Sequence, residues 1–276
     1  MLAIDSHQHF WNYSPQRQVW MSDAMAVLKR DFLPDDLFPL LKQCSIQGCV
    51  AVQASQTEDE NTFLLALADQ HEFIKGVVGW VDLRANQVEQ RLAHYASNNK
   101  MKGFRHIIHD EQDVDFMLRK DFLRGIGLLN QFGFKYDILI YPKHLANVLK
   151  LVLLFPEQPF VIDHLAKPII REKKIKDWRS DLKKIAACDN VYCKISGMVT
   201  EAKWHNYHKA DFSPYLDAVV EMFGTNRLMY GSDWPVCNLS ATYQDMFGIV
   251  TDYFSRFSKT EQGKIFGANA SKFYRL

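Results

Sequence analysis

Residues Ile4–Trp11 read IDSHQHFW, and the residues after their short apolar start separate two α/β architectures. An open, doubly wound sheet carries a glycine-rich turn directly after its first strand, where backbone amides cradle a pyrophosphate. Here that place is taken by SHQHFW, which has no glycine and has two histidines two residues apart. Alternate side chains of an extended chain share a face, so Asp5, His7 and His9 are expected to point the same way. Two imidazoles on one face make a ligand set or a polarising pair, or are two plain surface histidines. The tripeptide alone does not choose between them.

Outward from this stretch, β-rich runs recur about every thirty residues, the length of one βα unit. Strands are predicted at Leu2–Asp5, Cys49–Ala54, Gly76–Val81, Gly103–Ile108, Tyr136–Ile140, Phe160–Asp163, Val191–Ile195 and Leu228–Gly231. The segments between them carry helix signals. Thr57 with Glu60 forms a capping box ahead of the apolar stripe Phe63, Leu64, Leu67. Ser213 and Pro214 read as an N-cap and first-turn proline, and Gly224 as a left-handed terminator. Leu145, Val148, Leu149 and Val152 form a further face that Pro156 ends. Eight alternating units predict a single α/β domain over residues 1–276, a (β/α)8 TIM-type barrel. The stretches 11–29 and 166–176 read as long βα loops on the rim where such barrels build their sites.

Composition bounds the function. The net charge is +1 over 276 residues, so no field draws in nucleic acid or an anionic membrane. The locally basic run from Arg171 to Lys184 is broken by Glu172, Asp177 and Asp181 and reads as a solvated helix face. Five cysteines without a C-x-x-C pair give neither a disulfide framework nor a zinc ribbon, and fit reduced thiols. With no basic–apolar leader and no apolar run of membrane-spanning length, a soluble cytoplasmic protein is expected, a monomer or small homo-oligomer.

The strand ends collect chemistry. Strand 1 delivers His7 and His9; strand 4 Arg105 and His106, with His109 just beyond; strand 6 Asp163, His164 and Lys167; strand 7 Lys194 and Ser196; strand 8 Ser232, Asp233 and Trp234. Any one histidine alone is most simply structural, but histidines on one rim opposite an aspartate point to a catalytic centre. His71, His94, His205 and His208 fall in helices or loops, and His144 reads as a surface residue. Trp11, Trp80, Trp204 and Trp234 are placed to wall a small-molecule pocket, with core packing an equal option for Trp80.

Taken in order, HQHFW, GWVDL, FRHIIHDE, DHLAKP, CKISGMVTEA, GSDWPV and the closing IFGANASKFYRL resemble the amidohydrolase superfamily. More narrowly they are similar to its sugar-lactonase branch (amidohydrolase-related family 2), of the L-fuconolactonase and L-rhamnonolactonase type. The resemblance spans the chain and implies that Asp233 activates water while His7, His9 and His164 line the reactive centre. Strand 5 ends in DILIYPK, without the histidine that metal-rich members carry. The expectation is therefore at most one divalent ion, Zn²⁺ by preference, on His7, His9, His164 and Asp233, with hydrolysis open to a metal-assisted or a metal-independent course. Ala166 stands where related lactonases usually have glycine.

The chemistry is coherent on its own. Opening a lactone needs a nucleophilic water, a proton for the leaving alkoxide and stabilisation of an oxyanion. Asp233 can accept the water's proton, and the histidines can donate to the carbonyl oxygen or hold one ion that polarises it. Arg105, His106 and Lys194 suit the hydroxyls of a sugar lactone, with Trp11 and Trp234 as walls. No serine sits in a G-x-S-x-G elbow, so water is expected to attack directly. The alternatives are a Zn²⁺-dependent decarboxylase of the same superfamily and a non-catalytic barrel that binds a sugar acid.

Overall fold

The computed structural model describes residues 2–276. Eight strands form one all-parallel sheet in chain order: β1 (Ile4–Gln8), β2 (Gly48–Val52), β3 (Ile74–Gly79), β4 (Met101–Ile107), β5 (Lys135–Leu139), β6 (Phe160–Ile162), β7 (Val191–Ile195) and β8 (Leu228–Tyr230). The amide of Asp233 donates to His7 O at 2.8 Å and that of His9 to Trp234 O at 2.7 Å, drawing β8 back onto β1. Helices Pro34–Gln43, Glu58–Gln70, Val88–Ala96, Lys120–Leu129, Leu145–Leu154, Lys176–Ala186, Ser213–Phe223 and Tyr243–Phe254 come after the strands in turn. The expected (β/α)8 barrel is the architecture observed.

Local chemistry sets most boundaries. Thr57 Oγ1 accepts from the Glu60 amide and opens its helix, but the expected capping box is only half formed, because the Glu60 carboxylate accepts from the Ala54 amide instead. Three further details differ. The strand β1 starts later than expected, so His7 lies within it rather than beyond it. Phe212 caps the helix in which Ser213 is already the first residue, and Gly224 ends that helix at φ 59°, ψ 178°, positive but not the left-handed helical turn expected. His144 is a correction: it is fully buried, its Nδ1 accepting from the Tyr141 amide at 3.2 Å, because Pro142 starts a turn that folds the ring under the backbone.

The barrel interior is layered. At its lower end Ile4, Val50, Val52, Val78, Val161 and Met229 form an apolar plug with Ala270, Phe273 and Tyr274 of the C-terminal helix Asn269–Tyr274. Above that layer the interior turns polar, with Arg105, Asp137, Asp163, Lys194 and His7 all buried. The long segment after β1 is tied down by paired backbone bonds between Trp11 and Phe32, both 3.0 Å, and by edge contacts of Trp11 and Trp234 with Phe32. Among the described residues no helix is long and apolar enough to cross a membrane.

Candidate active site

Asp233 Oδ1 is the convergence point of three rings, standing 3.4 Å from His9 Nε2, 3.8 Å from His164 Nε2 and 3.9 Å from His7 Nε2. His7 Nε2 and His9 Nε2 are 3.2 Å apart. Each ring is aimed by its other nitrogen: His9 Nδ1 donates to Val52 O at 2.7 Å, and His164 Nδ1 meets Ser196 Oγ at 2.8 Å. His7 Nδ1 faces Lys194 Nζ at 3.1 Å and Asp163 Oδ1 at 3.3 Å. Three imidazoles and a carboxylate with outer partners on every ring are the donor chemistry of a single zinc site. Donors around a tetrahedral ion with bonds of about 2.0–2.1 Å lie roughly 3.3 Å apart. Among the described residues His7, His164 and Asp233 bring their donor atoms within 4.8 Å of one another and suit one ion, whereas His9, expected as a fourth ligand, falls outside that set.

Two unusual backbone conformations hold this geometry. His164, Leu165, Ala166 and Lys167 all have positive φ, 53°, 54°, 60° and 49°, so four L-residues form one left-handed turn. Such a conformation costs about 1–2 kcal/mol per residue. The turn is held by the Trp178 indole donating to Leu165 O at 2.7 Å and by the Lys167 amide donating to His164 O at 2.7 Å. Asp233 also has positive φ, 59°. Gly197, at φ +62°, makes room for the result, since a Cβ there would stand 2.6 Å from His164 Nδ1.

Beneath the centre lies a closed charge network. Lys194 Nζ donates to Asp137 Oδ2 and stands 3.0 Å from Asp163 Oδ1, while Asp163 Oδ2 accepts from Arg105 at 3.0 Å. The Tyr274 hydroxyl donates to Asp137 from below. Two cations balance two carboxylates in a fully desolvated space, which is the condition for such groups to be tolerated there.

The network corrects several expectations. Lys194 is wholly buried and does not reach the cavity, so it cannot touch a substrate as expected. His106 alternates with Arg105 on β4 and turns outward, stacking on Phe116 and pairing with Glu111 at 2.7 Å, away from the mouth. Trp234 packs between Phe10 and Phe32, and Trp80 donates to His106; neither walls the cavity. Asp5 does not share the His7 face. The β1–β2 register shifts between Asp5 and Gln8, and Asp5 instead accepts from the Tyr243 hydroxyl at 3.0 Å and the Ser232 amide at 2.9 Å.

His9, His164, Asp233 and Arg105 do open onto a cavity of about 450 Å³, with Trp11 and Trp204 as walls. His7 lies just below its floor. The cavity also has lining residues the sequence did not single out: Trp20, Met25, Tyr141, Arg171 and Glu201. Lys167, swung inward by the left-handed turn, pairs with Glu201 at 2.8 Å on the same wall. Asp137 and Lys194 did have a sequence signal, each being a lone charge inside an otherwise apolar strand run, YDILI and VYCKI.

Electrostatics make the centre a carboxylate beside two neutral rings, His7 and His164. Burial pushes the His164 ring down to about 3 against the pull of Asp233, and burial likewise holds His7 well below its ordinary value. Burial would raise the Asp233 carboxyl, but His164, His9 and His7 together hold it below the usual carboxylate range. The Asp163 carboxyl, also opposed by burial, is held low by Lys194, His7 and Arg105. A charged oxygen on a cavity floor, ringed by imidazole nitrogens, can position and deprotonate a water molecule.

The amidohydrolase family model Amidohydro_2 matches residues 4–276. An L-fucono-1,5-lactonase from Burkholderia multivorans is 40% identical over 286 residues, covering 100% of this chain and 96% of that protein. An L-fucono-1,5-lactonase from Burkholderia ambifaria is 34% identical over 277 residues, covering 99% and 95%. A crystal structure of a Burkholderia multivorans amidohydrolase with bound zinc superposes with a TM-score of 0.97 at 40% identity, covering 100% of both chains. With the whole barrel and both rim motifs inside the match, the chain belongs to the amidohydrolase family.

Proposed function

We propose that this chain is a sugar lactonase, a carboxylic-ester hydrolase that opens an aldonolactone of the L-fucono-1,5-lactone type in cytoplasmic carbohydrate metabolism. The observation that carries the reading is full-length 40% identity to an L-fucono-1,5-lactonase. The chemistry that supports it is Asp233 on the cavity floor within 3.4–3.9 Å of three imidazoles. Asp233 accepts a proton from water as that water's oxygen bonds to the lactone carbonyl carbon. With the Ser196 hydroxyl donating to Nδ1, His164 presents an N–H at Nε2 for the developing oxyanion. When the tetrahedral intermediate collapses, the ring C–O bond breaks and the proton held by Asp233 passes to the leaving oxygen. Arg105 and the Lys167–Glu201 pair on the wall offer fixed donors and acceptors to the hydroxyls of the sugar, and Trp11 supplies an apolar face.

A divalent ion held by His7, His164 and Asp233 would supply Lewis-acid polarisation of the carbonyl. The five cysteines are all free, which suits a reducing compartment. The test is a pH-indicator assay on a panel of five- and six-membered aldonolactones, with aromatic carboxylic acids as decarboxylation controls. Acid release from six-membered sugar lactones is expected. CO₂ release from the aromatic acids with no lactone opening would favour the decarboxylase. Saturable binding of the sugar acid without any turnover would leave a binding barrel.

A further inference from the structure

We propose that Glu201 is a specificity-determining residue: its carboxylate occupies Lys167 and leans on Arg171, so the cavity takes neutral polyhydroxylated lactones and turns away lactones that carry a carboxylate of their own. The proposal rests on the lactonase reading for its substrate class and adds a rule of selection within that class.

The cations on the lining are already paired. Arg105, Lys167 and Arg171 reach the cavity, and each has a carboxylate oxygen close by. Arg105 donates to Asp163 Oδ2 at 3.0 Å, within the charge-balanced network beneath the floor. Lys167 Nζ donates to Glu201 Oε1 at 2.8 Å, and Arg171 Nη1 lies 3.9 Å from Glu201 Oε2. One carboxylate thus answers two cations. Asp233 on the floor and Asp110 on the wall add negative charge to the same space. A substrate carboxylate entering here meets the fields of Glu201 and Asp233 with no unopposed cation to receive it. Like charges brought together where water is excluded repel strongly.

The pair is held in place from both sides. Lys167 and Glu201 keep only 14% and 11% of their side chains exposed, unlike the loose surface pairs that contribute little. The left-handed turn delivers Lys167. Glu201 ends the short helix Met198–Glu201, in which Thr200 Oγ1 donates to Gly197 O at 2.8 Å. The Trp204 indole donates to Thr200 O at 3.0 Å, tying one aromatic wall to that helix. Burial works against the Lys167 ammonium, yet Glu201 and Asp233 hold its pKa above the ordinary lysine value, so both ends of the pair stay charged. A neutral hydroxyl can donate to the spare lone pairs of Glu201, and a second can accept from Lys167, without breaking the pair. Discrimination of this kind comes from a repulsive element as much as from an attractive one.

The experiment compares a neutral hexonolactone with the matching hexarolactone, whose terminal carbon is a carboxylate, in wild type and Glu201→Gln. The amide oxygen of the replacement can still accept from Lys167, so the charge is removed and the bond is kept. The kcat/KM preference for the neutral lactone should fall by about 10- to 100-fold, the worth of a unit charge roughly 7 Å away at an effective dielectric near 20. The shift should shrink at high salt. Calorimetry with open-chain hexonate and hexarate on ion-stripped protein reads the same selection without turnover. Wild type should bind the hexarate more weakly than the hexonate, and Glu201→Gln should narrow that gap. Wild-type protein that binds hexarate at least as tightly as hexonate overturns the proposal, whether or not the variant folds. Ratios left unchanged in a folded variant overturn it too, since a purely structural Glu201 would move both ligands alike. If wild type opens no lactone, the lactonase reading fails, while the two open-chain acids still decide the selection.

Discussion

His164 Nε2 and Asp233 Oδ1 stand 3.8 Å apart, and both side chains are delivered by residues with positive φ, 53° and 59°. Strain of this kind is concentrated where surrounding structure over-determines a functional geometry. The base and its nearest neutral donor are thus held by backbone rather than by flexible side-chain reach.

Replacing Asp233 with Asn keeps the shape and removes the proton acceptor. The rate should fall by roughly 10²- to 10⁴-fold, the usual worth of positioned proton transfer, with a smaller change in KM. Circular dichroism should show a folded barrel. Since its histidine neighbours hold the Asp233 carboxyl below the usual range, any fall of the wild-type kcat/KM attributable to Asp233 should lie at or below about pH 4. Near-wild-type kcat in the folded variant would remove Asp233 from the mechanism.

Ala166 sits at φ 60° in the left-handed turn, a place where glycine carries no Cβ penalty. Relief of about 1–2 kcal/mol of strain exceeds the roughly 0.5–1 kcal/mol of extra chain entropy glycine loses on folding. Ala166→Gly should therefore raise Tm by about 2 °C for a chain of this size. A lower Tm by differential scanning calorimetry would show that the turn at this residue is not strained.

Gly197 tests the seating of His164. The Cβ of Gly197→Ala would press on His164 Nδ1 from 2.6 Å and break its contact with Ser196 Oγ. A 10- to 100-fold loss of kcat, on the order expected when an orienting partner is lost, should accompany a modest loss of stability. A crystal structure of the variant with the His164 ring unmoved would contradict this account.

Opposing titrations shape the pH dependence of stability. His7 and His164 are pushed down by burial, the latter to about 3. Their contribution is full above the unfolded value of about 6.5 and is lost as pH falls toward the folded value. Asp5 and Asp137 are pushed up to about 6 by burial, so their contribution is full below about 3.9 and is lost as pH rises through 6. The two pairs offset each other between about pH 6.5 and 4. Below about 4, Asp163 and Asp233, held low by their neighbours, lose stability unopposed. Tm should be nearly level down to about pH 4 and then drop steeply. A steady decline beginning at pH 6.5 would mean the buried carboxyls do not compensate the histidines.

Metal content should reach at most one ion per chain, because β5 offers Leu139 and Tyr141 at the mouth rather than a histidine. Hydrolysis should persist after exhaustive chelation, since Asp233 and the imidazole N–H groups act without an ion. Two ions refined about 3.5 Å apart, or complete and reversible loss of activity on chelation, would each refute this.

The sequence by itself determined the barrel. Strand runs such as CVAV and VYCKI are short, β-branched and regularly spaced, and the turn and cap residues between them act locally, so their reading survives folding. It also placed His7, His9, His164 and Asp233 at strand ends, which barrel topology then gathers at one mouth. What the chain could not reveal is which way a side chain faces once the sheet closes. Period-two alternation makes Arg105 and His106 opposites, but only closure turned Arg105 inward and His106 out. The register shift in β1 separated Asp5 from His7. The left-handed turn at 164–167 contradicts the local preference of all four residues and exists because Trp178 and the cavity wall hold it. Lys194 is buried because Asp137 on β5 and Asp163 just after the neighbouring β6 meet it inside the barrel, from positions more than thirty residues away in sequence. Local preference fixes elements; only long-range contact fixes which faces meet.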